Sequence, residues 1–258
     1  MPDPHEVTLN IAVFGAAGRL GRETVRAVAN STDCRLSGAT VRPGSTGAGR
    51  DAGTVAGIPR LGIALTEAPA EAVAEAAVAI DCSTAAAAEC HARICREAGC
   101  ALLVAATGHE AQAREALEAA ACAVAVLVAP NLSRGALVLR RLAALAAQAL
   151  PAHYDVGIVD YHRRGKTDAP SGTALALGES IAGIREQPTG FAAVRAGDIV
   201  GEHTVLLAGD GERLELIHRV QDRAAFAAGA LAAARWLATQ PPGWYGLDAL
   251  ADEELARK

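Results

Sequence analysis

The stretch "TLNIAVFGAAGRLGRETVRAVANSTDCRLSGATV", residues 8–41, decides the fold. "TLNIAVF" (8–14) is a short apolar run that predicts a buried strand. Gly15, Gly18 and Gly21 follow in a G-x-x-G-x-x-G run, "RETVRAVANS" predicts a helix ending near Asn30, and "CRLSGATV" predicts a second strand. Strand, glycine turn, helix and strand within about 35 residues have the dimensions of a βαβ unit. Glycines there let the backbone turn tightly and approach a pyrophosphate, and the helix start offers unpaired N–H groups and partial positive charge. A tight βα turn without a ligand is the other reading. In NAD-selective proteins an acid sits about 20 residues further on and holds the ribose 2′-hydroxyl. "ATVRPG" places Arg42 there instead, and Arg19 lies inside the turn. Cations at these positions favour a 2′-phosphate, so NADPH is expected in preference to NADH, which stays possible as a second cofactor.

The alternation continues. "VAIDCS" (78–83), "ALLVAAT" (101–107) and "VAVLVAP" (124–130) read as strands, separated by the helices "AAAAECHARICREAG" and "EAQAREALEAAAC". Such a pattern implies a parallel sheet covered on both faces. Near residue 130 the texture changes. "ALVLRRLAALAAQALP" reads as one long apolar helix, and "YDVGIVDYH", "FAAVRAG", "GEHTVLLAG" and "RLELIHRV" read as extended segments of an antiparallel or mixed sheet. "RAAFAAGALAAARWLAT" (223–239) is a closing helix, and "PPGWYGLDALADEE" a tail. The expected fold is α/β: a Rossmann-type dinucleotide-binding domain over 1–130, with the segment from about 223 to 258 packed back on it, and a mixed-sheet α+β substrate domain over 131–222.

Of the 258 residues 51% are hydrophobic but only 3% aromatic, so the core is expected to be built from Ala, Val and Leu. The net charge of -5 argues against a general nucleic-acid binder. Cys34, Cys82, Cys90, Cys95, Cys100 and Cys122 form no C-x-x-C pair, so buried free thiols in a reducing cytoplasm are expected and no metal site. The polar start "MPDPHEVTLN" is not a signal peptide, and no uncharged apolar run reaches the length of a bilayer span.

Against that acidic background "HRRGKTDAPSGTALALGES" is conspicuous. His162, Arg163, Arg164 and Lys166 stand ahead of a helix start that Ser171 or Thr173 can cap. The N–H groups near Ser171, Gly172 and Thr173 make an anion site. With Arg163 and Lys166 they suit a small molecule carrying one or two carboxylates. His162, ordinarily titrating near ~6.5, can donate a proton. Asp168 can serve the turn or orient Lys166. A solvated basic loop ahead of a capped helix is the alternative.

These segments resemble the dihydrodipicolinate reductase family over nearly the whole chain. "VFGAAGRLGRE" is similar to its cofactor turn, "DCST" to its strand-end segment, "VAATGH" to its Gly-Thr-Thr-Gly segment and "APNLSRGA" to its hinge. "HRRGKTDAPSGTAL" resembles its signature, and "VRAGDIVGEHTV" and "GERLELIHRVQDRAAFAAGALAAARWL" resemble its C-terminal half. The resemblance implies a cytoplasmic homotetramer of lysine and diaminopimelate biosynthesis. It would pass a hydride from NADPH or NADH to C4 of a cyclic imine dicarboxylate. His162 takes the proton donor's position and Lys166 that of the catalytic lysine; Gly172 and Thr173 take positions that hold a substrate carboxylate, beside Arg163 and Ser171. Gly15, Ala16, Ala17, Gly18, Arg19 and Leu20 correspond to the cofactor turn. Ala105, Ala106 and Thr107, with Ala129, Pro130, Asn131 and Leu132, correspond to nicotinamide-side contacts, and a hinge is expected near Asn131. Three features depart from the pattern. Arg163 replaces the signature's second histidine, Ala105-Ala106-Thr107-Gly108 replaces Gly-Thr-Thr-Gly, and the segment between Ile184 and Val194 is short. They leave open a paralogous reductase of another cyclic imine acid, or a non-catalytic dinucleotide-binding homologue.

Overall fold

A computed structural model describes residues 8–106, 108–129, 131–186 and 188–256. In chain order the elements are β1 (Leu9–Phe14), α1 (Arg19–Ala29), β2 (Cys34–Ala39), α2 (Ala52–Ala56), α3 (Pro69–Val73), β3 (Val78–Asp81), a 3₁₀ turn (Ala85–Ala87), α4 (Ala88–Ala98), β4 (Ala101–Val104), α5 (Ala111–Ala121), β5 (Ala125–Val128), α6 (Arg134–Ala149), β6 (Asp155–His162), α7 (Gly172–Ala182), β7 (Gly190–Arg195), β8 (Gly201–Gly209), β9 (Glu212–Val220), α8 (Ala224–Leu237), β10 (Gly243–Tyr245) and α9 (Leu247–Ala256). They fall into two compact units, one running to Leu132 and resuming at Phe226, the other Ser133–Ala225.

The first unit is a six-stranded parallel sheet in the order β2-β1-β3-β4-β5-β10. Its strands are near-continuous apolar runs because both faces are covered. Alternate residues go to opposite sides. Ile11, Val13, Ile80, Leu103 and Leu127 pack with Val25 and Val28 of α1 and with Ala230, Ala233, Ala234 and Leu237 of α8. Ala12, Phe14, Ala79, Leu102, Val104 and Val126 pack with Ala88, Ala92 and Cys95 of α4 and with Leu117 and Ala120 of α5. The helices thus meet the sheet through alanine, as the composition predicts. The tail adds more than packing. Gly243–Tyr245 pairs in parallel with β5 as a sixth strand, and Trp236 Nε1 donates to Glu253 at 2.5 Å. The cysteine expectation needs one correction. All six are free thiols and Cys34, Cys95 and Cys100 are buried, but Cys90 and Cys122 are exposed and Cys82 is half-buried.

The second unit is a four-stranded mixed sheet, β7-β6-β8-β9, with β6 and β7 parallel and the other pairs antiparallel. Leu139, Ala143 and Ala147 of α6 and Leu177 and Ile181 of α7 pack on Val156, Ile158, Val205 and Leu207 of the sheet. On α6 the apolar residues Val138, Leu142 and Leu145 are exposed. Buried Arg185 closes the far end of this helix, donating to the carbonyls of Ala147, Leu150, Pro151 and Tyr154 at 2.8 to 3.2 Å. No described helix is long and apolar enough to cross a membrane.

Candidate active site

In the first unit the carboxyl ends of the strands carry the first cluster. The chain goes from β1 to β2 on one side and then crosses to β3 on the other, so the strand order reverses at β1. Ligands of open α/β sheets bind at such a point. The glycine turn stands there. Gly15 has φ +70, and a Cβ on it would meet Ser83 and Cys82 backbone at 3.0 to 3.1 Å; a Cβ on Gly21 would lie 2.2 Å from the Gly15 carbonyl oxygen. Both positions therefore need glycine. Gly18 caps α1 with its backbone extended and no side-chain bond to the first N–H groups, which stay open to an anion.

Beneath the turn lies a buried pair that sequence reasoning missed. Asp81, at the end of β3, accepts from His91 Nδ1 at 2.7 Å and from the Ser83 amide and hydroxyl at 2.9 and 2.5 Å. His91 also stacks on Phe14, ring centroids 4.1 Å apart. This bracing fixes the "DCST" segment against Gly15. Burial pushes the neighbouring Cys82 thiol up to about 12, so it stays protonated. Ala105 and Ala129 follow β4 and β5 at the same edge, their amides bonded to Asp81 and Val104 carbonyls. Arg19 and Arg42 are both exposed, at the start of α1 and in the loop after β2. Asn131 is half-buried and Leu132 buried. Thr107 and Pro130 lie outside the described residues.

In the second unit β6 delivers His162 at its C-terminal end. A strand repeats every two residues, so Val156, Ile158, Asp160 and His162 share the helix-facing side. Asp160 is fully buried. It accepts from Arg195 Nη1 and Nη2, each at 3.2 Å, and from the Ser171 amide at 3.0 Å. Burial works to raise its carboxyl pKa, but Arg195 and Ser171 together hold it below the ordinary carboxylate range. His162 Nδ1 is 3.2 Å from Asp160 Oδ2, close enough for an ion pair, yet not aligned for a hydrogen bond. Burial first, then the Lys166 ammonium, push its pKa down; Asp160 pulls it back up. Lys166 Nζ donates to Asp168 Oδ2 at 2.7 Å, and Arg195 Nη2 donates to the Asp168 carbonyl at 2.6 Å.

Ser171, not Thr173, caps α7, its hydroxyl accepting from the Ala174 amide at 3.2 Å. The start of α7 is the predicted anion site, with Gly172 and Thr173 in its first turn. Behind it runs a row of imidazoles. His203, 1% exposed, has Nε2 3.4 Å from Ser171 Oγ. Its ring lies 5.4 Å from that of His162 and 6.2 Å from that of His218. Burial, with some help from His162 and His218, pushes its pKa down to about 3, so it is neutral. His218 in turn contacts Ser133 Oγ at 3.1 Å. Asp160, Arg195, His203 and His218 went unread in the sequence. The signal was an apolar strand face broken by a carboxylate and an imidazole.

Family profiles described as "Dihydrodipicolinate reductase, N-terminus" and "Dihydrodipicolinate reductase, C-terminus" match residues 9–132 and 135–250. The 4-hydroxy-tetrahydrodipicolinate reductase of Alkalilimnicola ehrlichii is 44% identical over 93% of this chain and 98% of its own. The chain belongs to the dihydrodipicolinate reductase family. The enzyme of the same name from an Anaeromyxobacter species is also 44% identical, over 93% of this chain and 96% of its own. Among solved structures, a dipicolinate-bound dihydrodipicolinate reductase from Paenisporosarcina sp. TG-14 has TM-score 0.76 at 21% identity, covering 93% of this chain and 98% of that one. That likeness bears on the fold, a Rossmann-like unit joined to a mixed sheet. Like its family, the chain is an oxidoreductase, and its first unit is of the dinucleotide-binding kind.

Proposed function

We propose that the chain reduces 4-hydroxy-tetrahydrodipicolinate to tetrahydrodipicolinate in cytoplasmic lysine and diaminopimelate biosynthesis, using NADPH in preference to NADH. The observation that carries this reading is the conjunction in the second unit: a half-buried, protonatable His162 beside Lys166, followed by the capped, N–H-bearing start of α7. That set suits a small ring with two carboxylates. The glycine turn, which any Cβ would fill, and the open N–H groups of α1 fit a dinucleotide pyrophosphate. When bound, the reduced nicotinamide supplies the hydride. Gly15 to Leu20 would hold the dinucleotide, with Ala105, Ala106, Thr107, Ala129, Pro130, Asn131 and Leu132 on the nicotinamide side. Arg42, exposed after β2, and Arg19 favour a 2′-phosphate.

In the second unit Lys166, Arg163, Ser171, Gly172 and Thr173 would grip the carboxylates. The 4-hydroxyl would leave as water with a hydrogen from the adjacent ring carbon, which forms a C=C conjugated with the imine. His162 would then donate the proton that balances the hydride added at C4. The sheet face opposite α6 and α7 carries Val159, Tyr161, Ala192, Val194, Leu206 and Ile217, an apolar strip that supports assembly into a homotetramer. The test is oxidation of NADPH in the presence of 4-hydroxy-tetrahydrodipicolinate, together with rescue of a diaminopimelate auxotroph. Turnover with rescue supports the reading. Failure of both, with NADPH still bound, would favour the second reading, another cyclic imine acid, to which Arg163 points because it stands in place of a neutral acceptor.

A further inference from the structure

Asp160 sits two residues before His162 on the same face of β6, where its carboxylate meets three groups from three places in the chain. Arg195 of β7 forks onto both oxygens at 3.2 Å. The Ser171 amide at the start of α7 donates at 3.0 Å, and His162 Nδ1 stands 3.2 Å away. The second arm of Arg195 also holds the Asp168 carbonyl at 2.6 Å, and the Asp168 side chain holds Lys166. We propose that the Asp160–Arg195 ion pair is the positioning element of this site, holding His162, the loop of Lys166 and Asp168, and the start of α7 in one frame. This deepens the reductase reading and rests on it.

A metal ion is the competing use of the same residues, since donor atoms of Asp160, His162 and His203 lie within 4.8 Å of one another. The lone pairs argue against it. Both Asp160 oxygens already accept from the guanidinium, one also takes the Ser171 amide, and a dication would sit beside Arg195 and Lys166. An ordered ion pair leaves no such conflict. It also does chemical work. The charged and titratable groups around His162 are Asp160 on its own strand, Lys166 and Asp168 in the loop, Arg195 on β7 and His203 on β8, with His218 of β9 beyond. Lys166 and Arg195 disfavour the imidazolium; Asp160 and Asp168 favour it. Asp160 therefore keeps the donor protonatable as well as placed.

The experiment is Asp160→Asn, which keeps shape and removes charge. In ¹⁵N-histidine-labelled protein, with His162 assigned by its loss in His162→Gln, the His162 titration midpoint should fall by about half a pH unit or more. In turnover, kcat should drop on the order of 10-fold or more, with its alkaline limb moved to lower pH, because the donor must carry its proton. NADPH affinity should hold. A purely structural role would lower kcat without moving the limb, and an unmoved midpoint overturns the proposal. Should Asp160→Asn fail to fold, Arg195→Lys decides: it keeps the cation but loses the fork, and substrate KM should rise roughly 5-fold. Wild-type KM and kcat in that variant overturn the proposal. If the unaltered enzyme turns over no 4-hydroxy-tetrahydrodipicolinate, the substrate reading fails, while the titration still decides the role of Asp160.

Discussion

Replacing His203 by Gln should remove an acid sensitivity that wild type carries in its second unit. His203 is 1% exposed, and its pKa is pushed from 6.5 down to about 3, by burial first. Below pH 6.5 the unfolded chain takes up a proton on this residue while the folded chain refuses it until about pH 3. Stability therefore falls as pH drops through that window, and above it His203 contributes no pH dependence. Each pH unit is worth ~1.4 kcal/mol, so going from pH 6.5 to 5 costs roughly 2 kcal/mol through this one ring. Glutamine keeps a polar atom near the Nε2 position toward Ser171 but cannot titrate. The assay is urea unfolding at pH 7 and pH 5, followed by circular dichroism. For a unit of this size the wild-type midpoint should drop by about 1 M more than that of the variant. His162 and His218 are also depressed, so some acid sensitivity should persist in both proteins. Both tryptophans, 236 and 244, lie in the first unit, so their fluorescence reports on the other body. Midpoints that fall in parallel for the two proteins would refute a neutral, buried His203.

Four further variants have expected outcomes. His162→Gln should lower kcat by roughly 10²-fold, the scale of a positioned proton donor, and Lys166→Ala should damage both kcat and KM; steady-state kinetics reads both. Arg185→Ala should destabilise the second unit by ~3 kcal/mol, measured by urea unfolding, because four carbonyls at the end of α6 and in the segment that follows it lose a charged donor at once. Arg42→Asp should cut the NADPH-to-NADH ratio of kcat/KM by at least about 10-fold, since an acid there repels a 2′-phosphate and accepts from a ribose hydroxyl.

Which features were legible in the sequence follows from how local their causes are. The parallel sheet was readable because β1, β3, β4 and β5 are short, mostly apolar runs that alternate with helices, α4 among them closing on Gly99 at φ +66. The strand β10 was not, because three residues after two prolines carry no periodicity and their pairing with β5 is distant in the chain. The basic loop announced itself by charge and by the Ser171 cap. The imidazole row was partly within reach: a two-residue turn at Asp210 and Gly211 sets the β8–β9 register, and that register alone places His203 opposite His218. Asp160 and Arg195 required more. Their partnership depends on β6 lying beside β7 in parallel, with His162 level with Arg195, across a crossover that the sequence does not specify. A carboxylate alone on an apolar strand face would have cost several kcal/mol to bury. Its presence among Val156, Ile158 and His162 therefore demanded a cation from elsewhere in the chain, and Arg195, at the end of β7, answers that demand.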